Sequence, residues 1–295
     1  MLLLDKAVGI SSNRALQVAK RLFRAKKAGH AGTLDPLASG LLPVFLGEAT
    51  RFSGFLLAAD KRYVAKISLG TTTATGDAEG DVLVRRPVAV NKEDLASVID
   101  RFLGRQMQVP PMYSAIKRDG TPLYVLARRG ETVERVPRQI EIHSLVVHSF
   151  NQDVITLEVA CSKGTYIRTL AEDIGSALGC GAHLSGLRRT AAGPLKLAGA
   201  ISLEALGAIE ECQRDAQLRP ADKILGHLPS IELDDPHAVR FCHGQELDWQ
   251  GIASGTIHRV YAPGARFLGL GEALDDNRLR PKRLLGDTKT GVPSS

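Results

Sequence analysis

The chain predicts an α+β fold: a mixed, mainly antiparallel sheet with flanking helices, followed by a small β-rich module towards the C-terminal end. Three observations carry this. Residues 63–69 and 153–161 alternate as strands with one buried face. Segments with apolar residues at helical spacing lie before, between and after them, so helices and strands are intermixed rather than grouped. From about residue 212 the texture changes: Arg219-Pro220, Leu228-Pro229 and Asp235-Pro236 punctuate a polar stretch, and 240–285 is Gly-rich with short β-like runs at 257–261 and 267–270. The expected division is one domain over 1–225 and a second over 226–290, both within ordinary domain sizes.

Each element has a local reason. Leu2 to Leu4 start a strand, and Ser11-Ser12 offer hydroxyls to the free N–H groups of a helix whose apolar positions are Leu16, Ala19, Leu22 and Phe23. Residues 41–46 read as a buried strand, in which Pro43 argues for a sheet edge or a bend. A helical pattern resumes over 48–58. In the strand at 63–69, Tyr63, Ala65, Ile67 and Leu69 share one face, with Lys66 and Ser68 on the other; a Thr- and Gly-rich loop follows to Asp81. Asn91 and Asp94 form a capping-box pair for a helix striped by Leu95, Val98, Ile99 and Phe102 and stopped by Gly104. Residues 105–138 are basic and poor in core residues, with Pro110-Pro111 near one end and Pro137 at the other; they read as a surface insertion. Ile155, Leu157, Val159 and Cys161 line one face of the next strand, Ser162 to Thr165 make a turn, and Ile167, Leu170, Ala171, Ile174 and Leu178 stripe a helix. Leu184 to Thr190 includes Arg188-Arg189, a strand follows towards Leu197, and Ser202 caps a helix to about Glu211.

Composition bounds the function. The 295 residues are 44% hydrophobic and 24% charged, with 38 Lys and Arg against 32 Asp and Glu. The net charge of +6 is unevenly spread. Arg14, Lys20, Arg21, Arg24, Lys26 and Lys27 cluster without an acid, 105–138 is basic, and Arg278, Arg280, Lys282 and Arg283 lie close together. Several basic patches fit an extended polyanion, most simply nucleic acid, although any one alone is an ordinary solvated face. Cys161, Cys180, Cys212 and Cys242 have no C-x-x-C spacing and read as reduced, mostly buried thiols of a cytoplasmic protein. No apolar run approaches the ~20 residues that span a bilayer. There is no Walker motif, no G-x-G-x-x-G after a strand and no H-E-x-x-H. At 5% aromatic residues, broad stacking of single strands is disfavoured; a structured RNA held by phosphates, with one base extruded, fits better.

The stretch Gly29 to Gly40 concentrates the chemistry. It presents Asp35 and His30 among three glycines and Pro36. On local grounds Asp35-Pro36 is first a turn. As a reagent Asp35 is a nucleophile, a general base or half of a carboxylate pair; a nucleophilic carboxylate has to stay ionised, which a neighbouring guanidinium favours. Arg168, in the first turn of a helix, is the best candidate partner, with Tyr166 close by; Tyr63, after the basic Lys61-Arg62, is a candidate stacking partner for a base. Each has a structural alternative: a surface arginine, a core tyrosine.

Taken in order, these residues resemble the TruB family of tRNA pseudouridine synthases. The resemblance rests on Leu3 to Lys6 with Ser11-Ser12-Asn13, Ala28 to Gly40, Gly47 to Thr50, Lys61-Arg62-Tyr63, Pro111 to Ala115, Cys161 to Arg168, Gly179 to His183 and Leu187-Arg188-Arg189. It implies a catalytic domain of the pseudouridine synthase type and a C-terminal PUA-like RNA-binding domain. It implies isomerisation of the uridine at position 55 in the T-loop of tRNA. Asp35 is then the nucleophile and Arg168 its partner. Tyr63 stacks on the target base and takes part in proton removal from C5. His30 packs beside the extruded base, Tyr166 lines the pocket and Leu187 closes it. The insertion over 105–138 clasps the RNA. No cofactor or metal is required, no protein partner is implied, and a monomer is expected. Where many relatives carry an acid in the Thr71 to Asp77 loop, this chain has Ala74; Asp77 remains to meet the Arg168 region. Two other readings stay open: a tRNA-folding helper without chemistry, and a guide-RNA-dependent rRNA synthase.

Overall fold

The computed structural model describes residues 1–286, so 287–290 of the expected second domain lie outside the described residues. The chain starts with β1 (Leu2–Lys6) and α1 (Ser12–Leu22). Ser11 caps α1 by accepting from the Arg14 N–H at 3.2 Å. That frees Ser12: its buried hydroxyl donates to Leu34 O and accepts from Leu34 N–H, both at 2.8 Å, tying the helix to the loop ahead. β2 (Ala28–His30) and β3 (Ala38–Leu46) follow. β3 is an interior strand, not an edge. Pro43 lies opposite Leu3 of β1, but its carbonyl faces the other way and accepts from Ala31 N–H at 3.1 Å; its missing N–H falls on that same side, just past the β2 pairing that ends at His30 opposite Val44, where no ladder bond needs it.

The helix expected over 48–58 divides into a 3-10 turn (Gly47–Phe52) and the short α2 (Ser53–Leu57). Thr50 and Ser53 hydroxyls bond the carbonyls of Gly47 and Thr50, a local competitor of regular helix. After β4 (Lys61–Leu69), the loop expected to Asp81 contains one strand of a hairpin, β5 (Thr71–Thr73) with β6 (Val82–Arg85). α3 (Lys92–Asp100) carries the expected Asn91–Asp94 capping box. Next comes β7 (Gly104–Gln108), and beyond it β8 (Lys117–Arg118), β9 (Thr121–Pro122) and α4 (Leu123–Arg128). β10 (Arg138–Asn151), β11 (Val154–Cys161), α5 (Ile167–Ala177), β12 (Ala182–Ala192), β13 (Leu195–Lys196), β14 (Ile201–Ser202) and α6 (Leu203–Ala208) complete the first unit.

Ten strands form one sheet, in the order β14-β1-β3-β12-β4-β11-β10-β7, with β2 on β3 and β13 on β12. Only β1–β14 and β3–β12 are parallel. α1, α3 and α5 pack their apolar stripes onto this sheet in one core with Leu42, Ala65, Ile67, Leu157 and Val159. Both ends of the expected insertion belong to the sheet, because Gly104–Gln108 pair residue for residue with Arg138–Ile142. What projects is 109–137.

The C-terminal module contains β15 (Ser230–Glu232), α7 (Asp235–Cys242), β16 (Leu247–Asp248), β17 (Ile257–Ala262), β18 (Arg266–Ala273) and β19 (Arg278–Leu284), with strand order β15-β17-β18-β19-β16. Its core is Ile231, Phe241, Leu247, Val260, Leu268 and Leu279. A second apolar cluster joins it to the first unit: Phe45, Phe52, Leu56 and Leu225 pack with Leu270, and the Phe52 and Phe267 rings lie 5.5 Å apart.

The third basic patch is largely neutralised. Arg278 pairs with Glu246 and Asp276, and Glu272 takes both Arg280 and Lys282. Arg283, which donates to Arg51 O and lies over the Phe55 ring, meets no acid among the described residues. Cys161 and Cys180 are buried as expected, while Cys212 is exposed. Among the described residues no helix is long and apolar enough to cross a membrane.

Candidate active site

The site is built on β3, β12 and β4. Their register sets Leu187 between Ala38 and Ala65, and Arg189 between Gly40 and Tyr63. Gly40 has φ +97°, and a Cβ there would come within 2.3 Å of Arg189 O, so only glycine lets the parallel strands approach. The Arg189 side chain turns inwards and is 1% exposed. It donates from Nε to Leu41 O at 2.7 Å and from Nη2 to Gly32 O at 3.0 Å. Gly32, at φ +94°, lies against the same guanidinium. A buried cation thus moulds the loop that precedes β3.

Asp35 stands at the turn of that loop. Its carbonyl accepts from Ala38 N–H at 3.0 Å with Pro36 in the second position, so Asp35-Pro36 forms the turn its local sequence predicts. Both neighbours are fixed: Leu34 by Ser12, and Pro36 O by Gly9 N–H at 2.8 Å. The side chain remains 42% exposed and meets Arg168 Nη2 at 3.1 Å. Arg168 leaves the first turn of α5 and is 7% exposed. Both of its terminal nitrogens are engaged, Nη1 by Thr75 O at 3.0 Å and Asp77 at 3.6 Å, Nη2 by Tyr113 O at 2.6 Å and Asp35. Asp77, 4% exposed, accepts from Thr75 Oγ1 at 2.5 Å and Glu79 N–H at 3.1 Å.

The electrostatics are a contest. Burial raises the Asp35 carboxyl above its ordinary value; Arg168 pulls it down, Asp77 raises it, and Lys6 lowers it. Lys6 itself is fully buried, donates to Ala7 O at 2.8 Å and Ile10 O at 2.6 Å, and is lowered by burial to about 8, with Asp35 opposing. Two cations therefore support one half-exposed carboxylate that a second carboxylate repels.

The other expected residues surround this pair without bonding it. Tyr63 is buried on β4; burial pushes its phenol up, and the Arg189 guanidinium opposes. Tyr166 is half-buried at the cap of α5, its phenol also raised by burial, with the buried Ser114 hydroxyl beside it. The charge of Asp35 is felt by both phenols. His30 ends β2; its Nδ1 is buried without a partner, and burial together with Arg189 lowers its pKa, so the imidazole is neutral near pH 7. Leu187 is half-buried on β12.

Sequence reading missed the roles of Lys6 and Arg189, because a basic residue next to polar neighbours reads as surface. It missed Gln108 altogether. The only available signal for the two cations was their place inside strands of otherwise apolar, buried periodicity.

A mixed sheet carrying one half-exposed aspartate on a buried arginine, with two tyrosines in electrostatic reach, is the arrangement that the resemblance to pseudouridine synthases implies, and the comparisons with known proteins place the chain in that class of isomerases. Residues 20–167 match the model of the N-terminal domain of TruB family pseudouridylate synthases. Residues 168–226 match the tRNA pseudouridylate synthase B C-terminal domain, and 229–285 match the C-terminal model of pseudouridine synthase II TruB. The chain is similar to the tRNA pseudouridine synthase B of Burkholderia mallei (strain NCTC 10247), at 54% identity covering 97% of this chain and 96% of the relative. It is similar to that of Azoarcus sp. (strain BH72), at 53% identity covering 99% and 96%. Among solved structures it matches a chain of a Cbf5-Nop10-Gar1 complex (31% identity, TM-score 0.69, covering 92% of this chain and 78% of that one). It also matches a chain of an H/ACA RNP bound to a substrate RNA containing 2′-deoxyuridine (28%, 0.73, 98% and 85%). The chain belongs to the TruB family of pseudouridylate synthases.

Proposed function

We propose that the protein converts the uridine at position 55 in the T-loop of tRNA to pseudouridine, with Asp35 as nucleophile and the base flipped out of the loop. The observation that carries this is the Asp35–Arg168 pair: a carboxylate open to a ligand, held at 3.1 Å by a guanidinium that is itself buried and anchored to two main-chain carbonyls. The tRNA substrate is supported by relatives bearing the name tRNA pseudouridine synthase B at about half identity over nearly their whole length.

The isomerisation breaks the N1–C1′ bond and makes a C5–C1′ bond; C5 gives up a proton and N1 gains one, so nothing else is consumed. An ionised Asp35 carries the covalent step. Tyr63 stacks on the base and takes part in removing the C5 proton, and Tyr166, His30 and Leu187 shape the pocket. Flipping costs a few kcal/mol of unstacking, offset by stacking and edge hydrogen bonds in the pocket. The RNA is held by the basic face around α1, where Arg14, Lys20, Arg21, Lys26 and Lys27 carry no neighbouring acid in sequence, and by the projecting 109–137. That segment and the C-terminal module are the RNA-clasping and RNA-binding parts.

The test is the purified protein alone with a naked T-stem-loop and no guide RNA. Stoichiometric pseudouridine at the position equivalent to 55, and its absence from tRNA of a strain lacking the protein, is the expected pair of results. A requirement for a guide RNA, or unmodified product with intact RNA binding, overturns the reading in favour of a guide-dependent synthase or a folding helper.

A further inference from the structure

Gln108 belongs to none of the motifs that carry the family resemblance, yet it is 5% exposed and fully engaged. It is the last residue of β7, two positions before Pro110-Pro111, where the projecting segment leaves the sheet. Its amide makes a two-bond pair with the main chain of Tyr166: Oε1 accepts from Tyr166 N–H at 2.8 Å, and Nε2 donates to Tyr166 O at 3.1 Å. Tyr166 caps α5 without any side-chain cap of its own, and its carbonyl also takes the Leu170 N–H at 3.1 Å. The start of α5 is therefore held from outside the helix, by an edge strand.

Two residues further on, Arg168 donates to Tyr113 O at 2.6 Å and meets Asp35 at 3.1 Å. Arg135, from the far end of the projecting segment, donates to Pro110 O at 3.1 Å. The main chain of 108–113 is thus stitched to 166–168, and the guanidinium that orients Asp35 is one of the stitches. We infer that Gln108 is a positioning residue: it fixes the first turn of α5 against the root of the projecting segment, so that Arg168 meets Asp35 in register only while that root is seated. The inference rests on the reading of Asp35 as nucleophile. Gln108 reaches main chain only, so its effect passes through Arg168. A displacement of that guanidinium by 1 Å is enough to cost on the order of 10²-fold in rate.

The test uses Gln108→Met, which keeps the volume and removes both bonds, and Gln108→Glu, which keeps the acceptor for Tyr166 N–H and loses the donor. Single-turnover rates on saturating T-stem-loop are measured well below each variant's melting temperature, beside RNA affinity. The expected result is a rate about 10–100-fold lower for Gln108→Met, a smaller loss for Gln108→Glu, and affinity within about twofold of wild type. In an Arg168→Lys background Gln108→Met adds little, because both act on one interaction. A wild-type rate in Gln108→Met, affinity falling in step with rate, or full multiplication of the two losses overturns the positioning role. If Gln108→Met does not fold, the same criteria apply to Gln108→Glu. Asp35→Asn in the same assay separates the two ideas: a surviving rate there defeats the nucleophile reading itself.

Discussion

Asp35 and Asp77 bond the same guanidinium through different nitrogens, and their surroundings are opposite. Asp35 is carried by a turn whose neighbours on both sides are fixed, and its own carboxylate is left 42% open. Asp77 sits 4% exposed in the Thr71 to Asp81 loop and spends its oxygens on Thr75 and Glu79 as well as Arg168. A carboxylate that is bonded by its own loop serves as a brace; one that meets a guanidinium on one side and is open on the other is free to act on a ligand, the role proposed for Asp35. Burial without enough local partners raises the Asp35 carboxyl, a cost the fold bears for keeping it available.

The predictions that break or sharpen this contrast run from the reagent outwards. Asn at Asp35 lowers the rate of pseudouridine formation by about 10³-fold or more, while melting at pH 7 stays at or above the wild-type value. Arg168→Lys keeps the charge but loses the fork that joins four partners; the single-turnover rate falls by roughly 10²–10³-fold. Asp77→Asn reverses the Asp35 pattern: the rate falls only about tenfold, but a buried charge loses a partner, and denaturant unfolding shows a loss of about 2 kcal/mol. Equal stability for the two Asn variants contradicts the division between brace and reagent.

The pH dependence carries a sign that follows from the raised Asp35 carboxyl. On the proposed reading activity needs the ionised form, so the acid limb of the wild-type rate lies above the ordinary Asp range. For stability, a folded-state pKa above the unfolded one means that the folded protein binds the proton more tightly. The contribution of Asp35 is thus present at acid pH and lost as pH rises through its unfolded and then its folded value. The stability of Asp35→Asn therefore gains on wild type across that window; a gap that closes there instead contradicts the shift. The smallest effect falls on the RNA clasp. Arg128, over the Tyr124 ring at 5.7 Å, and Arg129, 62% exposed, lie on the projecting segment. Changing both to Ala weakens tRNA binding and lowers the salt slope by about two, one for each phosphate contact.

The contrast also marks what was legible in the sequence. The turn at Asp35-Pro36 and the strand carrying Tyr63 could be read because glycine, proline and alternation constrain the backbone locally, and the capping pair of Asn91 and Asp94 needs only its own turn; the pairing of Asp35 with Arg168 came from the family resemblance, since local pattern alone favours a turn and a surface arginine. Asp77 was legible only as a neighbour of Arg168, since which of two acids is buried depends on a hairpin, β5–β6, that Thr and Gly composition disguised as loop. Lys6 and Arg189 were hidden because a buried cation is defined by carbonyls contributed from elsewhere: Ile10, Leu41, Gly32. Pairing across the sheet also decided the limits of the insertion, whose ends became β7 and the start of β10, and the fate of Arg278, Arg280 and Lys282, which pair with acids of the same module. Such facts are set by tertiary register, which local pattern does not encode.

The most direct measurement of the central claim is release of tritium from tRNA labelled at C5 of uridine, run in parallel for wild type, Asp35→Asn and Asp77→Asn at equal RNA occupancy. Release at background for Asp35→Asn, beside slow but sustained turnover for Asp77→Asn, is the predicted result. Release by Asp35→Asn near the wild-type rate would show that the open carboxylate is not the nucleophile.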